Sequence, residues 1–451
     1  MSNPLDVVDE LSASRPVLNA DEIDAAAKRI ADIIEPTPLQ FSPRLSAATG
    51  AKVYLKREDF SAVRSYKLRG AYNLIVQLTT AEKAAGVVAA SAGNHAQGVA
   101  FACKAMGISG RIYVPTTTPR QKRDRIRVHG GEFVELIAVG ETYDAAAAAA
   151  ADDVARTGAT MVPPFDDVRT AAGQGTIAVE ILDQLDTSPD LVIVPVGGGG
   201  CLAGIGTYLR DRSPRTAILG VEPAGAASMT AALVAGAPVT LPEIDPFVDG
   251  AAVRRIGAVP FAAVSGFGGR VVSHASLPLL TAPESLRGSG AFRIMQVDEG
   301  AICTCMLDLY QNEGIIAEPA GALAVTGLSE ITVEPGSTVV CLVSGGNNDV
   351  SRYGEIIERS LVHRGLKHYF LVDFPQEPGA LRRFLNEVLG PDDDITMFEY
   401  VKRNNRETGA ALVGIELGAP SGLASLQQRI ADSPIQCERL EPGSPAYRYL
   451  T

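Results

Sequence analysis

The feature that most constrains the fold is a series of six short runs that are apolar on both faces and alternate with helical segments. These runs lie at residues 53–55, 86–90, 110–114, 191–196, 217–221 and 338–343. Strands of a parallel sheet have this character because helices cover both of their faces. The segments between them are amphipathic or alanine-rich, with seven consecutive alanines at 145–151. We therefore predict an α/β architecture built on parallel sheets.

The length and the N-terminal segment define the limits of the folded region. A chain of 451 residues is too long for one ordinary core, so we expect two or three domains. Residues 1–19 mix proline, serine and acidic groups without periodicity, which predicts a flexible tail. Helical spacing begins at Asp21, and Pro36 ends it. Because no window is apolar for long enough to span a bilayer and no basic, apolar leader is present, we expect a cytoplasmic protein with no membrane partner.

Charge and cysteine usage exclude several classes of partner. The formal net charge is −12, whereas a nucleic-acid partner would require a basic face. The six cysteines are scattered without paired spacing, which is typical of a reducing compartment. Cys303 and Cys305 are too close in sequence for a zinc pair, and we interpret them as small apolar fillers. We expect no metal site.

The pattern changes near residue 364 and predicts a separate domain. A strand at 368–374 precedes a helix at 379–388, strands at 395–401 and 411–417, and a helix at 422–431. The order β-α-β-β-α, with a possible terminal strand, is the ferredoxin-like α+β arrangement. We therefore place domain boundaries at 20–363 and 364–451.

The candidate chemistry lies in a heptapeptide and four further motifs. Residues 65–71 read SYKLRGA, and a lysine whose charge is depressed by apolar surroundings is neutral part of the time and can form a Schiff base. The other motifs are KRED at 56–59, SAGNHAQG at 91–98, GGGG at 197–200 and SGGNN at 344–348. In this order they resemble the fold-type II pyridoxal 5'-phosphate enzymes, and within these the biosynthetic threonine dehydratases, or threonine ammonia-lyases. The resemblance covers nearly the whole chain.

The glycine run has a physical interpretation of its own. Gly197, Gly198, Gly199 and Gly200 follow a buried strand and open a helical segment, so that bare backbone amides can converge on a phosphate at a positive helix terminus. The spacing is not Gly-x-Gly-x-x-Gly and no acidic residue is placed for a ribose, which disfavours a dinucleotide fold. By resemblance, the phosphate cradle extends to Cys201.

The resemblance also implies the roles of the cofactor-binding residues. Lys67 matches the Schiff-base lysine, which becomes the general base at Cα once substrate displaces it. Asn94 matches the donor to the phenolic oxygen of the ring. Ser344 is expected to face the pyridine nitrogen, where a hydroxyl leaves the ring less fully protonated than a carboxylate would and so favours elimination.

Further residues are assigned to the substrate side of the same site. Ser91, Gly93 and His95 shape the loop that is expected to receive the substrate carboxylate, and His95 is interpreted as a packed histidine that takes no part in acid–base chemistry. Residues 249–252 and 318–322 resemble family segments near the cofactor ring.

The fold that the resemblance implies is a two-lobed, tryptophan synthase β-like catalytic region followed by an ACT-like regulatory domain, which residues 374–381 match. The remaining length accommodates one such domain, whereas longer family members carry two. The chain departs from the pattern at about 275–296, a segment rich in proline, glycine and serine that we interpret as a surface loop insertion.

The function implied is conversion of L-threonine to 2-oxobutanoate and ammonia, with side activity on L-serine, in a homo-oligomer, typically a tetramer, that isoleucine inhibits and valine antagonises. Two alternatives remain open. A serine racemase or serine dehydratase shares most motifs, but a racemase needs a second base, and related racemases carry a serine where this chain has Ala92. A non-catalytic amino-acid sensor is disfavoured by intact Lys67, Asn94 and Ser344.

Overall fold

The computed structural model describes residues 17–268, 270–272, 290–400, 407–441, 444 and 447. Within these residues the chain forms two compact units. The first contains residues 17–298 and 315–349, and the second contains residues 299–314 together with the chain from 350 onward. The predicted tail therefore lies almost wholly outside the described residues, since the first described helix, α1, begins at Ala20.

A seven-stranded sheet forms the larger lobe of the first unit, in the order β1-β2-β11-β7-β8-β10-β9. All neighbours are parallel except the edge pair β1 and β2. Its strands are β1 (Leu39–Phe41), β2 (Lys52–Arg57), β7 (Leu191–Pro195), β8 (Ala217–Pro223), β9 (Arg270–Val272), β10 (Phe292–Val297) and β11 (Thr338–Val343). The central strands are buried on both faces, as the sequence predicts.

A smaller parallel sheet forms the second lobe, in the order β5-β4-β3-β6. Its strands are β3 (Val87–Ala90), β4 (Gly110–Val114), β5 (Val134–Ala138) and β6 (Thr160–Met161). Each lobe has its own apolar core, one centred on Val192, Ile218 and Leu202 and the other on Val87, Ile112 and Val99. The two-lobed parallel-sheet prediction is confirmed.

Helices cover these sheets. In the first unit they are α1 (Ala20–Ile30), α2 (Pro43–Thr49), α3 (Lys67–Val76), α4 (Thr80–Ala85), α5 (Asn94–Met106), α6 (Arg120–Gly130), α7 (Tyr143–Thr157), α8 (Val168–Gln184), α9 (Gly200–Arg212), α10 (Ser228–Ala235), α11 (Ala258–Ser265) and α13 (Pro319–Ser329). Helix α3 packs against both α5 and α8. The side chain of Asn19 accepts from the Glu22 amide at 2.9 Å and begins α1 one residue before the predicted start.

The second unit carries the ferredoxin-like fold. Its elements are α12 (Glu299–Glu313), α14 (Tyr353–His363), β12 (Lys367–Pro375), α15 (Ala380–Glu387), β13 (Asp394–Tyr400), β14 (Thr408–Glu416), α16 (Gly422–Asp432) and β15 (Gln436–Leu440). The antiparallel sheet has the order β13-β14-β12-β15. The predicted elements are all present, including the terminal strand, and Phe370, Phe374 and Phe384 pack in the core between sheet and helices.

Packing extends this unit N-terminal to the boundary predicted at residue 364. Helices α12 and α14 pack against each other, and Thr304 and Ser360 join them by a hydrogen bond of 2.9 Å. Glu358 on α14 accepts hydrogen bonds from Lys367 and Tyr369 on β12. These contacts group both helices with the C-terminal sheet.

The loop prediction for residues 275–296 is wrong at its C-terminal end. Phe292–Val297 forms β10, which lies between β8 and β9 in the large sheet. Phe292, Ile294 and Met295 are buried, so this segment is part of the core. Residues 273–289 lie outside the described residues.

The site is positioned by the carboxyl ends of the parallel strands, where ligands bind in open α/β sheets. Strand β7 leads into the glycine run, and its neighbour β11 leads into Ser344. In the smaller lobe, β3 leads into the loop at 91–93 and then into α5.

Candidate active site

One cavity of about 830 Å³ in the first unit is lined by every site residue predicted from the sequence. These residues are Lys67, Ser91, Gly93, Asn94, His95, Gly197, Gly198, Gly199, Gly200, Cys201 and Ser344. Lys67 and Ser344, which are 277 residues apart in the sequence, therefore line the same cavity. The cavity is large enough for a small-molecule ligand of cofactor size.

Lys67 is the first residue of α3 and is partly buried in the cavity wall. Its Nζ donates to the Pro164 carbonyl at 3.1 Å and lies 5.2 Å from the centre of the Tyr66 ring. Burial lowers the pKa of the Lys67 ammonium to about 8, although Cys201 and Glu318 oppose that shift. A substantial fraction of this amine is therefore neutral near physiological pH.

The glycine run forms a cradle that side chains would fill. A Cβ at Gly198 would lie 2.1 Å from the Phe165 ring, and Gly199 has a φ of 89°, which favours glycine. Gly199 is the N-cap of α9 and supplies no side-chain cap to the first turn. The first amides of a helix lack intrahelical acceptors, so those of α9 are available to an anion.

Ser344 follows β11 and is buried, and its Oγ donates to the Ala320 carbonyl at 3.2 Å. Its backbone is tied to the segment that carries Lys67, since the Tyr66 amide donates to the Ser344 carbonyl at 3.1 Å. The Gly346 amide donates to the Arg64 carbonyl at 3.0 Å, and Arg64 has a φ of 55°, in the left-handed region. These bonds fix the lysine-bearing segment against the end of β11.

Asn94 opens α5 and belongs to a chain of side-chain hydrogen bonds. Its Nδ2 donates to Glu318 Oε1 at 2.6 Å, and its Oδ1 accepts from Asn347 Nδ2 at 2.8 Å. Arg125 on α6 donates to Asn347 Oδ1 at 3.1 Å. Burial raises the pKa of Glu318 to about 7, and Asp249 adds to that rise.

His95 is packed, as its interpretation from the sequence predicts. It is 3% exposed, and its Nε2 lies 2.7 Å from the Val162 carbonyl. Burial, together with the Lys67 cation, lowers the pKa of His95 to about 3. The ring is therefore neutral at physiological pH and is a poor proton donor for catalysis.

Several lining residues were not found from the sequence. Pro164 and Phe165 follow β6, a strand of two residues that gives no periodicity signal. Asn347 was seen only as part of a motif, and Glu318 only as a residue near the ring. The Glu318 carboxylate is buried and acts electrostatically on the Lys67 amine. Only the fold brings these two residues together, so their spacing along the chain does not indicate the interaction.

A second buried charge cluster supports α3 away from the cavity. Arg69 Nε donates to Glu58 Oε2 at 2.8 Å, and its Nη1 donates to Glu180 Oε1 at 2.5 Å. Lys56 Nζ also donates to Glu180, at 2.5 Å, and to the Thr37 carbonyl at 2.7 Å. Arg69, Glu58 and Lys56 are at most 1% exposed. The cluster joins β2, α3 and α8.

Metal-binding clusters and membrane-spanning helices are both absent from the part of the chain that the structure describes. No group of three or more histidines, cysteines or acidic residues is placed to hold a metal ion within those residues. In the same part of the chain, no helix combines the length and apolar character needed to cross a membrane.

Two family models match the chain and identify its class of enzyme. The family model described as "Pyridoxal-phosphate dependent enzyme" matches residues 30–345, and one described as "C-terminal regulatory domain of Threonine dehydratase" matches residues 358–450. The catalytic region is thus that of a pyridoxal-phosphate-dependent enzyme, and the cofactor prediction is confirmed.

Full-length relatives identify the family more closely. The "L-threonine dehydratase biosynthetic IlvA" of Mycobacterium tuberculosis is 68% identical over 433 residues, 96% of each chain. The protein of that name from Bacillus subtilis is 47% identical over 435 residues, 96% of this chain and 98% of its own. The chain belongs to the family of biosynthetic L-threonine dehydratases.

Solved structures have the same fold. Processed threonine deaminase isoform 2 from Solanum lycopersicum has a TM-score of 0.65 and 36% identity, over 77% of this chain and 96% of its own. Maize serine racemase has a TM-score of 0.64 and 28% identity, over 77% of this chain and 99% of its own. The fold is thus shared with a racemase, whereas the high identities are to dehydratases.

Proposed function

We propose that this enzyme deaminates L-threonine to 2-oxobutanoate and ammonia, with side activity on L-serine, as the first step of isoleucine biosynthesis. The observation that carries the proposal is the Lys67 amine, which has a pKa of about 8 and shares one cavity with the glycine cradle and Ser344. Serine lacks only one methyl group of threonine, and one methyl group provides about 1–3 kcal/mol of discrimination.

The residues present fit pyridoxal 5'-phosphate. The uncapped first turn of α9 and the side-chain-free run at 197–200 suit the phosphate, and Cys201 contributes through its backbone amide. Asn94 and Ser344 supply an amide and a hydroxyl to the polar edges of the ring. When bound, this cofactor supplies an electron-withdrawing ring that stabilises negative charge at the substrate Cα.

Lys67 has two tasks in this proposal. Its neutral amine would hold the cofactor, and the same amine, once free, would take the proton from the substrate Cα. The Pro164 carbonyl, 3.1 Å from Nζ, holds the amine at the cavity wall without adding a negative charge that would keep it protonated. Burial then favours the neutral form that both tasks require.

The substrate carboxylate is assigned to the loop at residues 91–95. Ser91 Oγ accepts from the Gly93 amide at 3.3 Å, which shapes the turn before α5. The neutral His95 ring orients this loop through its contact with the Val162 carbonyl. A hydroxyl at Ser344, where a carboxylate would protonate the ring more fully, favours loss of the β-hydroxyl.

Purified protein loaded with the cofactor tests this proposal. Release of 2-oxobutanoate from L-threonine, at a higher kcat/KM than release of pyruvate from L-serine, is the expected result. Formation of D-serine from L-serine without oxoacid release would instead indicate a racemase. That outcome is not expected, because Ala92 lines the cavity without a proton carrier.

The C-terminal region, residues 364–451, is proposed to bind isoleucine as an inhibitor and valine as its antagonist. Phe374 contacts two aromatic residues of β13, with ring centres 5.8 Å from Phe398 and 6.0 Å from Tyr400. Phe398 and Tyr400 are each 38% exposed, so an apolar surface is open beside Phe374. A branched aliphatic side chain suits such a surface.

Variants on the two faces of one sheet test the regulatory proposal. F398A is expected to weaken inhibition by isoleucine by about 5- to 150-fold, the usual range of allosteric coupling, with basal turnover unchanged. L371A is the matched control, because Leu371 is 41% exposed on β12, the strand that carries Phe374, and does not belong to the aromatic group. A full-length enzyme that never responds to isoleucine would show that the regulatory proposal is wrong.

We further propose a homotetramer in the cytoplasm. Sedimentation of the full-length protein tests the assembly, with four chains per particle as the expected result and a stable monomer as the contradictory one.

A further inference from the structure

Glu318 is a buried acid in the cavity wall that the proposed chemistry does not use. It is the N-cap of α13 and is 5% exposed. No ion pair among the described residues includes it. Its Oε1 accepts from Asn94 Nδ2 at 2.6 Å, and the Asn347 backbone amide also donates to the carboxylate, so its hydrogen-bond donors among the described residues are neutral amides.

The Asn94 amide is held at both of its ends. An asparagine side chain has one carbonyl acceptor and two N–H donors. Glu318 takes one donor, and Asn347 Nδ2 donates to the carbonyl at 2.8 Å. Exchange of the amide nitrogen and oxygen would place two donors together and two acceptors together. The second N–H is left for a ligand in the cavity that Asn94 lines.

The surroundings keep Glu318 and Asn347 in place. A Cβ at Gly345 would lie 2.3 Å from Glu318 Oε1, so the carboxylate needs a glycine at that position. Asn347 Nδ2 also donates to the Val63 carbonyl at 2.8 Å, and Arg125 donates to its Oδ1 at 3.1 Å. The orientation of Asn94 is therefore fixed by a connected network rather than by one contact.

The charges that act on Glu318 come from several elements. Asp249 disfavours its ionised form, while Lys122 on α6 favours it. Glu318 in turn acts on Lys67 and Tyr66 at the start of α3. Burial and Asp249 raise the pKa of Glu318 to about 7, so that both of its protonation states are populated at neutral pH.

We propose that Glu318 is a positioning residue that acts through Asn94: with Asn347 it orients the Asn94 amide so that the remaining N–H donates to the cofactor ring. This inference rests on the proposed function, in which Asn94 contacts that ring. It assigns Glu318 a role in holding the cofactor and not in proton transfer to substrate.

The test is the affinity of the full-length apoprotein for pyridoxal 5'-phosphate, measured by absorbance titration for E318A, E318Q, N94A and E318A/N94A. E318A is expected to bind the cofactor about 10- to 100-fold more weakly, as when a hydrogen bond to a charged group is lost. E318Q is expected to stay within about threefold of the unmodified protein, because its amide oxygen still accepts from Asn94. The double variant is expected to bind no more weakly than N94A.

E222Q is the matched control. Glu222 is also fully buried, burial raises its pKa to about 7, and it accepts from the Met229 and Thr230 amides outside the cavity. Its replacement is expected to lower thermal stability while leaving cofactor affinity within about twofold. A role for Glu318 that is only structural would give E318A the same behaviour as E222Q, and that result would overturn the proposal.

The remaining outcomes are also decisive. If N94A leaves cofactor affinity unchanged, the cofactor contact in the proposed function is wrong, and the inference falls with it. If N94A weakens binding and E318A does not, or if their losses multiply in the double variant, only the positioning role is wrong. If E318A does not fold, the pH dependence of cofactor affinity in E318Q provides the test. The affinity of the unmodified protein is expected to rise as pH increases through about 7, and E318Q is expected to lack this rise. Identical pH profiles for the two proteins would overturn the proposal.

Discussion

Lys67 and Arg69 lie two residues apart on α3, yet their surroundings shift the pKa values of the two side chains in opposite directions. Arg69 is 1% exposed and is bound by the carboxylates of Glu58 and Glu180, which raise its pKa above the ordinary value. Lys67 has a backbone carbonyl as its hydrogen-bond partner, and burial lowers its pKa to about 8. Helix α3 is therefore held in place by paired charges on one side and carries, on the other, an amine whose acceptor is an uncharged carbonyl.

Two buried glutamates that act on these residues, Glu58 and Glu318, also have pKa values shifted in opposite directions. Burial alone would raise the pKa of Glu58, but Arg69 holds it below the ordinary value. Glu318 accepts from the Asn94 side chain and the Asn347 backbone, both neutral amides, and burial raises its pKa to about 7. A strongly shifted pKa in a cleft, as for Glu318, is typical of a functional site, whereas Glu58 and Arg69 form a buried ion pair outside the cavity.

The largest expected effect is that of K67A. Loss of the attaching amine and of the Cα base is expected to lower threonine deamination by several orders of magnitude and to remove the visible absorbance of the attached cofactor. Since Lys67 forms no ion pair with any residue that the structure describes and donates to the Pro164 carbonyl, the free energy of unfolding of the apoprotein should change by less than about 1 kcal/mol. Near-normal turnover in this variant would remove Lys67 from the mechanism.

R69A should show the reverse pattern. It leaves Glu58 and Glu180 without their main cation, and loss of one partner of a buried pair costs about 3–5 kcal/mol. Denaturant unfolding measures the loss, and activity per folded molecule is expected to survive. R212A is the control, because Arg212 is 37% exposed and pairs with Asp21 and Asp24 at the surface, so that its loss should destabilise the protein far less. Equal losses for both variants would contradict the comparison.

The sequence predicts the cavity residues around Lys67 better than it predicts the buried charge cluster around Arg69. Ser344 and the glycine run directly follow recognisable strands, and the motifs that contain them and Lys67 carry the family resemblance that assigns their roles. Glu180 lies 111 residues beyond Arg69, and only the packing of α8 against α3 brings them together. The sequence does not predict strand β10, because its residues, FRIMQV, mix polar and apolar side chains and follow a segment rich in proline and glycine.

The pH dependence of cofactor uptake tests whether the pKa of the Lys67 amine is lowered. The neutral amine fraction increases as pH rises through the pKa, so the rate at which apoprotein takes up pyridoxal 5'-phosphate should rise with a midpoint of about 8. The same reaction with free N-acetyl-lysine should have its midpoint near the ordinary lysine value, about 10.4. Rapid-mixing absorbance measures both, and equal midpoints would show that the site does not favour the neutral amine.

The smallest effect is expected for S344D. A carboxylate beside the ring should increase ring protonation, lower the elimination rate and add a long-wavelength absorbance band. An unchanged spectrum and rate would remove Ser344 from the cofactor contact. S360A is a control outside the cavity, since Ser360 is bonded to Thr304 in the second unit.

The most direct test of the account is to reduce the cofactor-loaded enzyme with borohydride and to locate the labelled lysine by peptide mass mapping. The account predicts one pyridoxyl group per chain, on Lys67. A label on Lys56, whose amine is bound by Glu180 and the Thr37 carbonyl, or on any other lysine, would contradict the assignment of the reactive amine to the unpaired side of α3.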